Sequence, residues 1–203
     1  MDPQSRVSAL FMRQIGFNRV VNALVDPKVR EVGVAMTGIP GVRGVDHIGI
    51  TVPDLVQAHE FFTEVLGCEY MYKLGPFDHP ETQWMSEHLN VHPRAVMRQL
   101  HFYRLGGQAI FEIFEFSAPD QNVTHPKNSD VGGHHVALYV DDFDLALDFV
   151  RKQGLRVLGE PTYSKNASEG QLWVYFLSPW GMQCELVSYP NGKAFDHLPE
   201  NFN

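Results

Sequence analysis

Residues 47–62 and 135–150 carry one pattern at a constant offset of 88 (135 − 47), and this internal repeat restricts the fold more than any other feature of the 203-residue chain. Five aligned positions are identical: His47/His135, Val52/Val140, Asp54/Asp142, Ala58/Ala146 and Phe61/Phe149. Each copy opens with a short apolar stretch of strand character and then reaches an aspartate placed to accept the free N–H groups of a helix's first turn. Apolar residues at helical spacing follow, Leu55, Ala58, Phe62 and Val65 in the first copy, Phe143, Ala146, Leu147 and Val150 in the second. Each helix stops at a glycine, Gly67 or Gly154. Strand-like runs come next, 68–74, 95–105 and 108–116 in the first copy and 155–158, 171–177 and 182–189 in the second. The pattern predicts an α+β fold of two tandem βαβββ modules, over 45–116 and 134–190, with a linker at 117–133, a tail at 191–203 and an arm at 1–44.

The closing strands also align, with Glu112 over Glu185. The His-to-Glu separation is 65 residues in the first copy and 50 in the second, so the first holds about 15 extra residues. They fall in 75–93, a turn-rich excursion broken by Pro76, Pro80 and Pro93. A stretch of that length between strands usually has a task.

Side chains alternate faces along a strand, so His47 shares its face with Gly49 and Thr51, and Glu112 with Ile110 and Phe114. If the modules pack about a pseudo-twofold axis, His47, Glu112, His135 and Glu185 meet near it. Two imidazoles and two carboxylates around one point suit a divalent ion such as zinc, nickel, cobalt, manganese or iron. A single strand histidine is most often structural, and an unpartnered buried carboxylate is costly. Four such residues at matched positions of two copies favour the ion.

The formal charge of −8, from 16 basic and 24 acidic residues, works against binding to phosphate backbones or anionic lipid, leaving small molecules and other proteins as partners. No apolar run approaches the roughly 20 residues of a membrane span, and Asp2, Arg6, Arg13 and Arg19 spoil a secretory signal. Cys68 and Cys184 are too few for a disulfide framework, and Cys184 lies in an apolar run that suits a buried thiol. A cytoplasmic location is expected.

The chain resembles the vicinal oxygen chelate superfamily of glyoxalase I, methylmalonyl-CoA epimerase, extradiol dioxygenases and fosfomycin- and bleomycin-resistance proteins. The resemblance is carried by Val45-Asp46-His47-Ile48-Gly49-Ile50-Thr51-Val52-Pro53-Asp54, by Phe61-Phe62, Leu66-Gly67 and Glu112-Ile113, by His134 to Asp142, and by Ser178-Pro179-Trp180-Gly181-Met182-Gln183-Cys184-Glu185-Leu186. It implies a glyoxalase-like cupped, half-barrel mixed sheet around a divalent metal held by His47, Glu112, His135 and Glu185, and a homodimer. His135 is preferred to His134 because it aligns with His47. A metal chelating two neighbouring oxygens of a small carbonyl substrate stabilises an enediolate, and a ligand glutamate can act as the base. Glu185 is favoured for that role, with Glu112 as the other candidate. The expected activity is therefore a metal-dependent isomerase or epimerase, or a lactoylglutathione-lyase-like lyase. The Ser178–Gly181 turn lacks the acidic residue of many glutathione-linked glyoxalases, which moves weight towards an epimerase of a small α-hydroxy carbonyl compound. A ligand-sequestering resistance-type protein and an extradiol-type dioxygenase are the alternatives. The first has no use for four ligands, and the second matches a set of two histidines and one carboxylate.

His101 and the His79, Glu87, His88 group are candidates for a second acid or base. Glu115, an odd number of strand steps from Glu112, is expected to face away and to be structural. The first 44 residues hold six basic and three acidic side chains, leaving −11 for the rest (−8 − 3). Residues 5–24 read as an amphipathic helix interrupted by Gly16, suited to packing on the acidic core or on a second subunit.

Overall fold

In a computed structural model, the chain divides into two compact units, Met1–Gly44 and Val45–Asn203. The structure describes residues 39–79 and 81–193, so the helix expected at 5–24 lies outside the described residues. Of the first unit, only a turn near Ile39–Val42 is described, closed by the Val42 N–H on the Ile39 carbonyl.

The second unit contains two four-stranded sheets, each built in chain order from one strand, one helix and three further strands. In the first module β1 (Ile48–Thr51) leads to α1 (Leu55–Glu60), and β2 (Glu69–Leu74), β3 (Val96–Leu105) and β4 (Ala109–Ser117) complete the sheet in the order β1-β4-β3-β2. The short helix α2 (Trp84–Leu89) lies between β2 and β3. In the second, β5 (His135–Tyr139) leads to α3 (Phe143–Lys152), followed by β6 (Arg156–Tyr163), β7 (Leu172–Leu177) and β8 (Gln183–Ser188), in the order β5-β8-β7-β6. β1 runs parallel to β4 and β5 parallel to β8, and the other neighbours are antiparallel. The architecture is the repeated βαβββ module that the sequence pattern requires.

The helix starts follow from the matched aspartates. Asp54 Oδ1 accepts the Val56 and Gln57 N–H groups at 2.7 and 3.2 Å, and Asp142 Oδ1 accepts that of Leu145 at 2.9 Å. Each cap is worth about 1 kcal/mol. The first helix continues as a π-helical turn over Phe61–Val65, and Gly67 (φ 68°) and Gly154 (φ 73°) end the two helices in the left-handed region. Both helices bury their apolar faces in one core that joins the modules, with Phe61, Phe62, Tyr103 and Phe111 from the first and Phe143, Leu147, Phe176 and Cys184 from the second. Trp180, in the turn before β8, closes this core edge-on against Phe61, with ring centres 5.2 Å apart.

Two details differ from the expected elements. The excursion contains a helix, α2, because its apolar residues have a surface to bury against: Met85 is fully buried with Ala95, Met97 and Leu100 in a second core, flanked by Leu74, Phe102, Phe114 and Phe116. Strand β6 continues to Tyr163 rather than stopping near 158. Gly159 (φ 73°) permits a bulge between Leu158 and Thr162, after which pairing with β7 resumes. Among the described residues, no helix is long and apolar enough to cross a membrane.

Candidate metal centre

Parallel pairing of β1 with β4 sets Gly49 opposite Glu112, bringing the side chain of His47, two residues earlier on the same face, over the glutamate. His47 Nε2 lies 3.1 Å from Glu112 Oε2. The second module repeats the geometry: Ala137 pairs with Glu185, and His135 Nε2 lies 3.1 Å from Glu185 Oε2. Glycine at 49 has a local reason. A Cβ there would come within 3.3 Å of the Phe114 ring, which would have to shift, while Glu112 Oε2 would lie at an ordinary contact distance of 4.0 Å.

Each imidazole is fixed through its other nitrogen. His47 Nδ1 donates to Asp46 Oδ2 at 2.8 Å, and His135 Nδ1 donates to Asn128 Oδ1 at 3.1 Å. Both partners at these positions only accept, which leaves the lone pair on Nε2, the nitrogen aimed at the glutamate. Asn128 reaches His135 because the linker folds back on itself. The Asp130 N–H donates to the Lys127 carbonyl and the Gly133 N–H to the Asp130 carbonyl, and a Cβ at Gly133 would collide with the Lys127 carbonyl. Each imidazole also meets an aromatic ring edge-on: His47 against Phe102 at 5.9 Å and His135 against Tyr175 at 5.1 Å.

An imidazole lone pair facing a carboxylate at 3.1 Å repels it unless a positive charge lies between them. A proton on the imidazole supplies that charge, and so does a metal ion. Ligands bound at about 2.0–2.2 Å around one ion stand roughly 3 Å apart, the separation seen in both pairs. Hydrogen bonding of the remote imidazole nitrogen to an acceptor is the arrangement that orients a histidine ligand. Burial pushes Glu112 and Glu185 above the usual carboxylate range, and the neighbouring His47 and His135 pull them back. The donor set fits a divalent cation.

The four expected ligands are thus brought together as two pairs, one per module. They do not gather in a single chain around the common point that the repeat suggests: among the described residues, no group of three or more His, Cys, Asp and Glu could hold an ion. The cause lies in the sheets. β1 and β5 are edge strands of two separate sheets, so nothing in the hydrogen bonding draws one pair onto the other.

The remaining expected residues separate clearly. His134 faces away from Glu185, with Nδ1 on the Gly132 carbonyl and its ring against His125. Glu115 is structural, accepting the Leu55 N–H at 3.0 Å at the start of α1 and pairing with Arg98 at 3.5 Å. His101 does not reach the pairs. It lies opposite Ile113 in the register, on the helix side of the sheet, and bonds to Tyr103 and Gln99. In the excursion, His79 and His88 pack against Trp84. The residues missed by sequence reading are Asp46, Asn128, Phe102 and Tyr175. Asp46 was legible as an acceptor adjoining His47, whereas Asn128 is brought to its partner only by the linker's turns.

Residues 46–175 match the model of the Glyoxalase/Bleomycin resistance protein/Dioxygenase superfamily. The chain belongs to this superfamily. It is 47% identical over 165 residues to a 2-epi-5-epi-valiolone epimerase from Actinomyces sp., an alignment covering 80% of this chain and 88% of that protein. It is also 22% identical over 146 residues to the uncharacterized protein YaeR of Escherichia coli K12, covering 72% and 96%. Among solved structures, the glyoxalase family protein APC24694 from Bacillus cereus superposes with a TM-score of 0.57 at 18% identity, over 74% of this chain and 98% of that one.

Proposed function

We propose that the chain is a divalent-metal-dependent epimerase of a polyhydroxylated cyclic ketone, with His47, Glu112, His135 and Glu185 as metal ligands. The observation that carries this reading is the matched geometry of the two His–Glu pairs, each 3.1 Å apart with the imidazole anchored through Nδ1. The name of the 47% identical relative supports both an enzyme of the isomerase class and a valiolone-type substrate, a hydroxylated six-membered ring ketone.

When bound, the ion would draw electrons from the ketone oxygen and the neighbouring hydroxyl, making the hydroxyl-bearing carbon next to the carbonyl acidic enough to lose its proton near neutral pH. This chain's residues then have two tasks. Inversion at that carbon requires the proton to leave from one face of the ring and return on the other, so two groups are needed. Glu185 would take the proton and Glu112, entering in its acid form, would return one to the opposite face, with both groups reset by proton exchange with water; each belongs to a different module. Help of this kind contributes about 10²–10⁴ in rate.

Each module supplies half of the ligand set, and the two halves come together in a homodimer in which the first-module pair of one chain faces the second-module pair of its partner. Twofold symmetry then makes two equivalent centres from two chains. The substrate is a small molecule, and neither nucleic acid nor membrane has a role.

The test combines metal analysis, sedimentation and isotope exchange. The purified protein should sediment as a dimer with one divalent ion per chain, and it should wash deuterium from heavy water into the α-carbon of a polyhydroxycyclohexanone. Chelation should abolish the exchange, and zinc, nickel, cobalt, manganese or iron should restore it to different degrees. A protein that binds no divalent ion above background, with His47→Ala and Glu185→Ala indistinguishable from wild type, would sink the proposal.

A further inference from the structure

The two sheets treat their metal-side faces differently. In the first module, the face next to His47 and Glu112 is covered by the excursion, with Met85 seated among Leu74, Leu100, Phe102, Phe114 and Phe116. The second module has no excursion, and its register places aromatic residues on the corresponding face. Tyr175 lies opposite Glu185 where the first module has Phe102 opposite Glu112, and Trp173 lies opposite Val187 where it has Leu100 opposite Phe114.

These rings form a continuous surface leading away from the metal pair. His135 meets Tyr175 with ring centres 5.1 Å apart, and Tyr175 meets Trp173 at 5.2 Å. The indole is locked in plane: its Nε1–H donates to Ser164 Oγ at 3.1 Å, and that hydroxyl donates to Gln171 Oε1 at 2.8 Å. Such a lock removes the rotamer entropy that ligand binding would otherwise cost. Tyr175 is poised differently. It stands opposite Glu185 in the strand register and meets His135 edge-on, so its ring borders the metal pair. A phenolic hydroxyl can donate or accept, so one bordering the pair can bond a ring oxygen of a ligand.

We propose that Trp173 and Tyr175 are specificity-determining residues that receive the carbocyclic ring of the substrate. The indole takes the C–H face of the ring, and the Tyr175 hydroxyl takes one ring oxygen. The ring chemistry fits both residues. A saturated polyhydroxylated ring has an apolar C–H face, which suits the negative π-face of an indole, and a polar edge, which suits a phenolic donor. An acyclic hydroxyketone offers no ring face for the indole to cover, so the platform favours cyclic substrates. This inference rests on the epimerase reading for the identity of the reaction, but not for the binding of the ring.

The test replaces second-module residues by their first-module counterparts, which the same strand positions already accommodate: Trp173→Leu and Tyr175→Phe. Tyr163→Leu, at an exposed residue outside this face, serves as the control. Binding is read by saturation-transfer NMR with myo-inositol, a ring that carries no ketone and cannot react. The expected result is saturation of the inositol C–H protons by wild type and Tyr163→Leu, with at least a fivefold reduction in Trp173→Leu. For a polyhydroxycyclohexanone, Trp173→Leu should raise KM by about tenfold, the size of one good stacking contact. The loss for dihydroxyacetone exchange should be several-fold smaller. Tyr175→Phe should lower affinity for the ring by a few-fold. Absence of inositol binding to wild type, full binding retained by Trp173→Leu, or conversion of a dimer to a monomer by that substitution would each overturn the platform. Inositol binding that depends on Trp173, in a protein that exchanges no ring ketone, would leave the platform standing and end the epimerase reading.

Discussion

The two modules have the same strand order, the same capping aspartate and the same His–Glu distance, yet they differ on both faces of the sheet. On the helix side, the first module carries a polar network. The Tyr103 hydroxyl lies 3.0 Å from Nδ1 of both His59 and His101, and His101 Nε2 lies 3.3 Å from Gln99 Oε1. At the corresponding positions, the second module has Leu147, Phe176 and Val174, all buried. On the metal side, the first module is closed by Met85 and its neighbours, while the second presents Tyr175 and Trp173. Duplication has kept the pair that needs fixed geometry and let its surroundings diverge, one half becoming packed and the other receptive.

The largest effect should come from breaking the equivalence of the two glutamates. Glu185→Gln is expected to lower epimerisation by 10² or more, and Glu112→Gln by a comparable amount. A two-base inversion would separate them, because each variant retains exchange into only one of the two epimers, read by NMR of the recovered ketone. Identical product patterns from both variants would show that the halves are not divided into acid and base.

The next effect concerns the covered face. Met85→Ala should cost about 2–5 kcal/mol in urea unfolding, since Met85 is fully buried and its truncation leaves a cavity in the second core. A loss below 1 kcal/mol would mean that the excursion is a passive flap. Third, the imidazole anchors differ in chemistry and exposure. Asn128→Ala should weaken metal affinity by about 10–100-fold, measured by competition with a chelating dye. Asp46→Ala should act less, because the Asp46 side chain is 91% exposed and its charge is screened. Equal losses at both would erase the asymmetry in this respect.

The smallest effect is on pH dependence. Burial, followed by the nearby His59 and Lys73, lowers the pKa of His101 from the ordinary value of 6.5, with Glu115 acting in the opposite direction. A histidine with a depressed pKa in the fold favours folding while neutral. Its contribution is therefore present above about pH 6.5 and is lost as pH falls towards the lower folded-state value. Thermal unfolding of wild type should shift downwards between pH 7 and pH 5, and His101→Val, which copies the second module, should flatten that slope. An unchanged slope would place the acid sensitivity elsewhere.

Much of this was legible because it is local or periodic. The aspartates, the helical spacing and the terminal glycines announced the two helices, and alternation alone placed Glu115 on the opposite face from Glu112, where it anchors the Leu55 N–H. His134 and His135 were separable on the same ground. The helix at Trp84–Leu89 was obscured because six residues between prolines carry little periodicity, and what holds it is Met85 against strands distant in sequence. His101 lies on the opposite face from the metal pairs because the β3 register sets it opposite Ile113 rather than Glu112, a pairing that no local pattern specifies.

By itself the sequence determined the duplicated module, the strand on which each donor sits and the side of the strand from which it projects, because these depend on backbone alternation and helix capping within a few residues. Only the tertiary structure decided that the donors assemble as two separate pairs, that Asp46 and Asn128 orient them, and that one face is filled while the other is left aromatic. Those outcomes depend on strand register and on chain segments meeting across tens of residues, where no local propensity specifies the partner.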